Sequence, residues 1–223
     1  MMFALALIAG LASGPLDSQA VLDRYAARLL SVEAPKTMIF SYTVSQAGPH
    51  DIEQTHRIYR SGDLVRDETI TVDGQALKPK ITRIGRYRNR YTLENLAPRM
   101  TQYAFLFVRA LRAGPDFQYV YRAVPLGATG AFAIDGMVLD GKTFLPAQIR
   151  FHTSSGVMKG TGAIAFQRSG KYWVPAFATV EAHVGGKPAR ERISFSAYQF
   201  PATLPKSTFK SPKPLPTPTL PNF

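Results

Sequence analysis

The residues of this 223-residue sequence that could carry acid–base or metal chemistry are few and scattered. Its four histidines stand singly along the chain, at His50, His56, His152 and His183. No two have metal-ligand spacing such as H-E-x-x-H, and in the densest cluster, residues 50–56, strand alternation would put the two acids and the two histidines on opposite faces. Cysteine is absent, which removes thiolate catalysis, disulfides and cysteine-ligated metals. The sequence therefore predicts no metal site.

Catalysis by a serine or by paired carboxylates finds no support either. The chain contains no G-x-S-x-G elbow that would expose a serine nucleophile. Asp67 and Glu68 are adjacent, so on a strand they would face opposite sides and could not converge on one substrate. Gly160 and Gly162 lie in a stretch that continues as a strand rather than a helix, which favours close packing over an anion cradle. We predict no catalytic residue, no cofactor and no enzymatic activity.

A basic stretch raises the question of nucleic-acid binding. Residues 81–91 read ITRIGRYRNRY, in which Arg86, Arg88 and Arg90 alternate with Tyr87 and Tyr91. On a strand the arginines share one face and the tyrosines the other, whereas single-strand binders expose both on the same face. The pattern therefore favours a solvated basic outer face and no nucleic-acid partner. The formal charge of +12 still favours anionic partners such as a membrane surface.

The two ends of the chain differ in composition from its middle. Residues 1–12, MMFALALIAGLA, form an apolar run too short to span a bilayer but suited to a secretory leader cleaved before Ser13. Because no positive residue precedes the run, a buried N-terminal helix is the alternative. Residues 210–223 form a proline-rich basic tail. We expect a leader over 1–12, one domain over 13–209, and an exported, soluble protein of the periplasm or another extracytoplasmic space.

Periodicity indicates one helix followed by many strands. Residues 17–32 carry an apolar stripe at helical spacing with Asp17 or Ser18 as N-cap. After it, alternating runs are separated by turn signals such as Ser61-Gly62 and Asp73-Gly74, so antiparallel hairpins follow one another. Residues 94–114 fit a short helix or a buried strand equally well. The pattern predicts a mainly β (α+β) fold, a curved antiparallel sheet or incomplete β-barrel whose concave face is covered by the N-terminal amphipathic helix.

The predicted strands carry more apolar surface than one helix can cover. Aromatic and aliphatic residues recur on one face of several long strands, and most would line a core whatever the function. A wide curved sheet under a single helix leaves room for a partly filled apolar cavity, and such cavities bind hydrophobic ligands. The predicted cavity wall consists of Tyr25, Phe40, Tyr42, Phe105, Phe151 and Phe166.

The order of these elements resembles the LolA/LolB-like family of bacterial outer-membrane lipoprotein-sorting carriers. The resembling pieces are the leader, one amphipathic helix ending near Val32, and a first strand IFSYTVSQ whose Phe40 and Gln46 match the family's aromatic-then-glutamine opening. The chain closes with RISFSAYQFPATLPKSTF, similar to the family's closing strand before a Leu-Pro and a Phe. The resemblance spans residues 16–209 in organisation.

This resemblance implies an incomplete antiparallel barrel whose concave face holds acyl chains without covalent chemistry. It also implies a buried arginine that helps to latch a lid, a role open to Arg57, Arg66 or another residue. The expected cargo is a hydrophobic ligand or an acylated lipoprotein, carried by a monomer, with an anionic membrane surface or an envelope protein as a further partner. The alternative is a non-enzymatic envelope adaptor or sensor that binds an anionic polymer, a membrane surface or a protein through its basic face.

Overall fold

The computed structural model describes residues 14–48, 51–87, 92–155, 158–184 and 187–210, without the side chains of residues 155, 158 and 184. The helices are α1 (Ser18–Leu30), α2 (Leu93–Leu96) and a 3-10 helix (Lys206–Phe209). The strands are β1 (Thr37–Ala47), β2 (Ile52–Ser61), β3 (Leu64–Val72), β4 (Gln75–Arg86), β5 (Tyr103–Ala113), β6 (Asp116–Pro125), β7 (Phe132–Asp140), β8 (Pro146–Ser155), β9 (Met158–Ser169), β10 (Tyr172–Val184) and β11 (Lys187–Gln199).

All the strands of the described residues form one 11-stranded antiparallel sheet, in the order β4-β3-β2-β1-β11-β10-β9-β8-β7-β6-β5. Chain neighbours pair throughout, except that β1 pairs with β11 and that β4 and β5, consecutive in sequence, form the two opposite edges. The sheet is therefore open, and the connection between β4 and β5 must pass from one edge to the other.

Helix α1 begins where the sequence predicts. Asp17 is its N-cap, and its carboxylate accepts hydrogen bonds from the backbone N–H groups of Gln19 and Ala20. Val21, Leu22 and Tyr25 on the apolar stripe are buried against β6, β7 and β8. We call the sheet face that α1 covers the inner face and the opposite one the outer face.

The strand predictions are confirmed, and one open alternative is resolved. The turns between β2 and β3 and between β3 and β4 lie at Gly62, Asp73 and Gly74, which all have positive φ as tight hairpins require. Residues 94–114, for which a short helix or a buried strand was predicted, contain the end of α2 and then β5. That strand is mostly exposed, because it is an edge of the sheet. The predicted leader lies outside the described residues, and so does the tail beyond residue 210.

Candidate ligand-binding site on the inner face

The inner face carries a continuous apolar row across the middle of the sheet. Cα partners in this row run from Met137 through Ile149, Ile164, Ala178 and Ile193 to Val44, so six successive strands contribute one apolar side chain each. Cross-strand neighbours share a face, which makes this row one surface. Its two ends differ in what covers them.

The half of the inner face formed by β6 to β9 is filled by α1. Tyr119, Tyr121 and Met137 are buried beneath the helix, and the Tyr121 hydroxyl donates a hydrogen bond of 2.8 Å to the Ser18 carbonyl. Burial raises the pKa of Tyr121 to about 12, so the phenol stays neutral at the helix. This half is therefore a packed core.

The half formed by β1, β10 and β11 lies beyond the helix. Val44, Val180, Ile193 and Phe195 point to the inner face there and are only half-buried. We call these four residues the open strip. Below it, Met38, Phe40 and Ile58 form a second, smaller core with Val65 and Val174. The open strip is thus a wall of apolar side chains with solvent access, resting on a packed base.

The connection between β4 and β5 crosses the inner face, and we call its residues 92–102 the crossing segment. Leu93 and Ala97 are buried in the same core as α1, and α2 contacts β10. The Tyr25 hydroxyl on α1 donates a hydrogen bond to the Pro98 carbonyl, and burial raises the pKa of Tyr25 well above its ordinary range. The crossing segment is therefore held to the helix by a buried, neutral phenol.

A buried arginine holds the connection near its start. Arg60 on β2 lies on the inner face, is almost fully buried, and donates a hydrogen bond of 2.7 Å from Nη2 to the Tyr87 carbonyl just after β4. Arg57 and Arg66, the two residues named for the latch from the sequence, lie on the outer face. Arg66 there donates to Glu68 and to the Thr208 carbonyl. Strand alternation separates the candidates, because Arg57 and Arg60 are an odd number of residues apart on β2.

A cavity opens beside the crossing segment. Its volume is about 640 Å³, within the range typical of small-molecule sites. One wall is formed by the crossing segment between Asn95 and Gln102 with Tyr103 of β5, and the other by Pro125 at the end of β6 with the loop from Leu126 to Gly130. Phe132 and Ile134 form its inner end. The cavity therefore connects solvent with the edge of the helix-covered core.

A polar network interrupts the apolar wall on β1 to β3. The His56 ring stacks on Tyr42 at a centroid distance of 4.6 Å, and its Nδ1 lies 2.8 Å from Asp67 Oδ1. Gln54 Oε1 lies 3.2 Å from His56 Nε2. The sequence placed Asp67 and Glu68 on opposite faces, and they are, but it did not reveal the His56–Asp67 pair. The register of the β2–β3 hairpin, counted from its Ser61-Gly62 turn, is the signal that brings them together.

A second acid lies on the inner face next to the open strip. Glu191 pairs across the sheet with Val180 and Gln46, and burial raises the pKa of its carboxyl above the ordinary 4.5. Arg190 and Arg192 flank it in sequence but point to the outer face by alternation, where Arg190 pairs with Glu181. The wall is therefore apolar with a few polar groups, as in most ligand sites.

Of the six residues predicted to line the cavity, four are buried and two are half-buried. Tyr25, Phe40, Phe151 and Phe166 are buried. Tyr42 and Phe105 are half-buried, and Phe105 packs edge-on against Tyr25 at 6.2 Å. Sequence reasoning missed the open strip, because Val44, Val180 and Ile193 look like any alternating strand residues until the extent of helix cover is known.

The predicted basic outer face is described only in part. Arg86 ends β4, is exposed, and donates from Nη1 to both carboxylate oxygens of Asp63 at 2.7 and 2.9 Å. This contact lowers the pKa of Asp63. Arg88 and Arg90 lie outside the described residues. The one arginine of this group with a described position is therefore already paired with a carboxylate.

One stretch of the described residues matches the P-loop in sequence but not in structure. Residues 136–143 read GMVLDGKT, the letters of a P-loop. They form the second half of β7 and the turn to β8, so no helix follows whose N-terminus could hold a phosphate. Within the described ranges, no group of three or more His, Asp or Glu side chains is placed to hold a metal ion. Among those residues, too, no helix has the length and apolarity needed to cross a membrane.

A solved structure shares this architecture. An outer membrane lipoprotein-sorting protein domain from Vibrio parahaemolyticus matches with a TM-score of 0.50 at 14% identity, over 86% of this chain and 97% of that one. The fold is LolA-like. A LolA superfamily protein from Nitrosomonas europaea matches with a TM-score of 0.47 at 12% identity, over 88% of this chain and 99% of that one. No family model and no curated protein matches the sequence.

The LolA-like fold confirms the resemblance found in the sequence at the level of architecture. One amphipathic helix on an open, unclosed antiparallel sheet is the arrangement that the resemblance implied. At 14% identity, the match to the Vibrio domain shows a shared fold alone. The ligand must therefore be argued from the inner face itself.

Proposed function

We propose that this protein is a non-enzymatic, extracytoplasmic carrier that holds an acyl chain, a lipoprotein's lipid group or a similar hydrophobic ligand on its inner face. The observation that carries the proposal is the half-covered apolar row. Helix α1 fills one half, while Val44, Val180, Ile193 and Phe195 stay half-buried at the other. The LolA-like fold and the lipoprotein-sorting description of the Vibrio domain agree with this role and with a periplasmic location.

The energetics suit capture and release without chemistry. Each methylene moved from water onto an apolar wall contributes about 0.8 kcal/mol, so a chain of about ten methylenes offsets the entropy of capture. Release requires an element that can move. The crossing segment is the candidate lid, because it is a separate segment across the inner face, packed through Leu93 and Ala97 and tied to α1 by the Tyr25 hydroxyl.

The predicted aromatic wall takes part in two ways. Tyr42, half-buried beside Phe195 of the open strip, contacts the ligand in the closed state. Phe105 lies under Tyr25, so we assign these two rings to the surface uncovered when the crossing segment leaves the helix. Phe40, Phe151 and Phe166 support the wall from within the packed cores.

A titration of the delipidated protein with a dansyl-labelled undecanoic acid tests the proposal. Ile193→Asp puts a charge on the open strip and should weaken probe binding at least tenfold. Ser194→Asp is the matched control, because the next residue on β11 faces outward and is exposed, so its binding should match the wild type. Equal binding by the wild type and both variants, with unchanged melting temperatures, would remove the open strip from the ligand site.

A further inference from the structure

An apolar patch is exposed on the outer face at the β5 edge. Leu106, Leu111 and Val124 are large aliphatic side chains that point outward, and Leu106 is 53% exposed. Val108, the extra residue of a β-bulge, and Leu126, in the loop after β6, extend this exposed surface. We call these five residues the β5–β6 patch. Several large apolar side chains exposed at one edge mark an interaction site more often than scattered single residues do.

Arginines are interleaved with the patch. Arg122 is the Cα partner of Leu106, and Arg109 is the partner of the outward-facing Val120. Arg150 lies two strands further along the same outer row and, with Arg122, lines a shallow groove. Among the described residues, none of these three arginines forms an ion pair with a carboxylate.

The two acids that line this groove, Asp135 and Glu181, are each paired with another side chain, His152 and Arg190. Asp135, which lines the same groove, lies 2.6 Å from His152 Nδ1 through its Oδ1. Asp116 lies at the β5–β6 turn, at the far end of the patch. By contrast, Arg86 and Arg190 elsewhere on the outer face are paired with carboxylates. The patch is thus a site of local positive charge as well as exposed apolar surface.

The two edge strands of the sheet, β4 and β5, differ in residue composition. The β4 edge carries Lys78, Pro79 and Lys80, residues that discourage another strand or surface from docking. The β5 edge reads YAFLFVRALRA and has neither lysine nor proline. Arg109, Arg112 and the β-bulge at Val108 disfavour pairing with another strand, while the aliphatic side chains of β5 stay exposed for contact with a surface.

We propose that the β5–β6 patch docks this protein on an anionic lipid bilayer. Leu106, Val108 and Leu126 would enter the interfacial region while Arg109 and Arg122 contact lipid phosphates, the combination that anionic bilayers bind. A second copy fits less well, because antiparallel pairing of two β5 edges would bring the arginines of both copies together. The net charge of +12 adds long-range attraction. This docking is independent of the ligand on the inner face.

Vesicle sedimentation tests the docking with the full chain. Vesicles of phosphatidylglycerol and phosphatidylcholine in equal parts should bind the protein, pure phosphatidylcholine vesicles should bind it far less, and added salt should release it. Leu106→Asp should weaken binding about tenfold or more. Arg122→Gln should weaken it about fivefold.

The opposite edge supplies matched controls. Ile81 on β4 is 53% exposed, as Leu106 is, and Arg83 on β4 is an exposed arginine. Ile81→Asp and Arg83→Gln should keep wild-type vesicle binding. Equal losses on the two edges, or no preference for anionic vesicles, would overturn the proposal. So would a wild-type dimer in sedimentation velocity that Leu106→Asp dissociates, since that result assigns the patch to a second copy.

Discussion

Tyr25 links the helix-covered core to the crossing segment, the proposed lid. Its ring packs on Phe105 inside the helix-covered core, and its hydroxyl donates to the Pro98 carbonyl of the crossing segment. Helical spacing placed Tyr25 on the apolar stripe in advance. Its partner could not be predicted, since 73 residues separate Tyr25 from Pro98.

Tyr25→Phe keeps the ring and removes only the hydroxyl. The buried Pro98 carbonyl then loses its donor, so the free energy of unfolding should fall by about 1–3 kcal/mol. If the crossing segment is the lid, the variant should also exchange the bound dansyl probe faster than the wild type. Urea unfolding and stopped-flow fluorescence measure the two effects. Unchanged exchange in a destabilised variant would leave Tyr25 as a core residue with no part in gating.

Glu191 gives the inner face a pH dependence whose sign follows from burial. Burial raises its pKa above 4.5, so the folded state favours the protonated carboxyl. Its contribution to stability is present below pH 4.5 and is lost as the pH rises through the higher folded pKa. Glu191→Gln should therefore be more stable than the wild type at pH 7 and equal to it near pH 4. Glu181→Gln, which removes an outward acid paired with Arg190, should not show this pattern in urea unfolding.

At the scale of elements, the hairpins could be predicted from the sequence, but the part of the sheet that α1 covers could not. Turn residues with positive φ and alternating runs are local signals, so Ser61-Gly62 and Asp73-Gly74 mark the ends of β2 and β3 in the sequence. Whether a strand lies at an edge or inside the sheet is not a local property of the sequence. Residues 103–113 are apolar enough for a buried strand, yet β5 is an exposed edge because the chain returns from β4 at the other side of the sheet.

Gly162 tests the packing of β8 against β9. A Cβ at this position would lie 2.5 Å from Phe151 Cζ and 2.4 Å from the Thr179 carbonyl oxygen. Gly162→Ala should therefore cost about 1–3 kcal/mol of stability, because the Phe151 ring and the backbone must shift. Gly130→Ala, in the loop where nothing lies within 4 Å of an added Cβ, should change the melting temperature little. A Gly162→Ala variant as stable as the wild type would show that Phe151 has room to move.

At the scale of the whole molecule, the sequence predicted the fold class, but the three-dimensional structure was needed to locate the candidate ligand site. Periodicity and the resemblance together indicated one helix on an open antiparallel sheet, whereas the structure was needed to show that the P-loop pattern of residues 136–143 lies on β7 and the turn after it. They could not show that α1 covers β6 to β9 and leaves the open strip, because cover depends on helix placement rather than on residue type. The arginines of residues 81–91 form a run in the sequence, whereas Arg109, Arg122 and Arg150 are distant in sequence and come onto one face only through strand pairing.

The carriage of a hydrophobic ligand is tested most directly by mass spectrometry of an organic extract. The protein would be purified without detergent after secretion from a bacterial host, beside the Ile193→Asp and Ser194→Asp variants and a mock purification. We expect a near-stoichiometric lipid or acylated peptide from the wild type and from Ser194→Asp, and little from Ile193→Asp. A wild-type extract that matches the mock purification, together with no binding of the dansyl probe, would contradict the account and favour a fully packed adaptor.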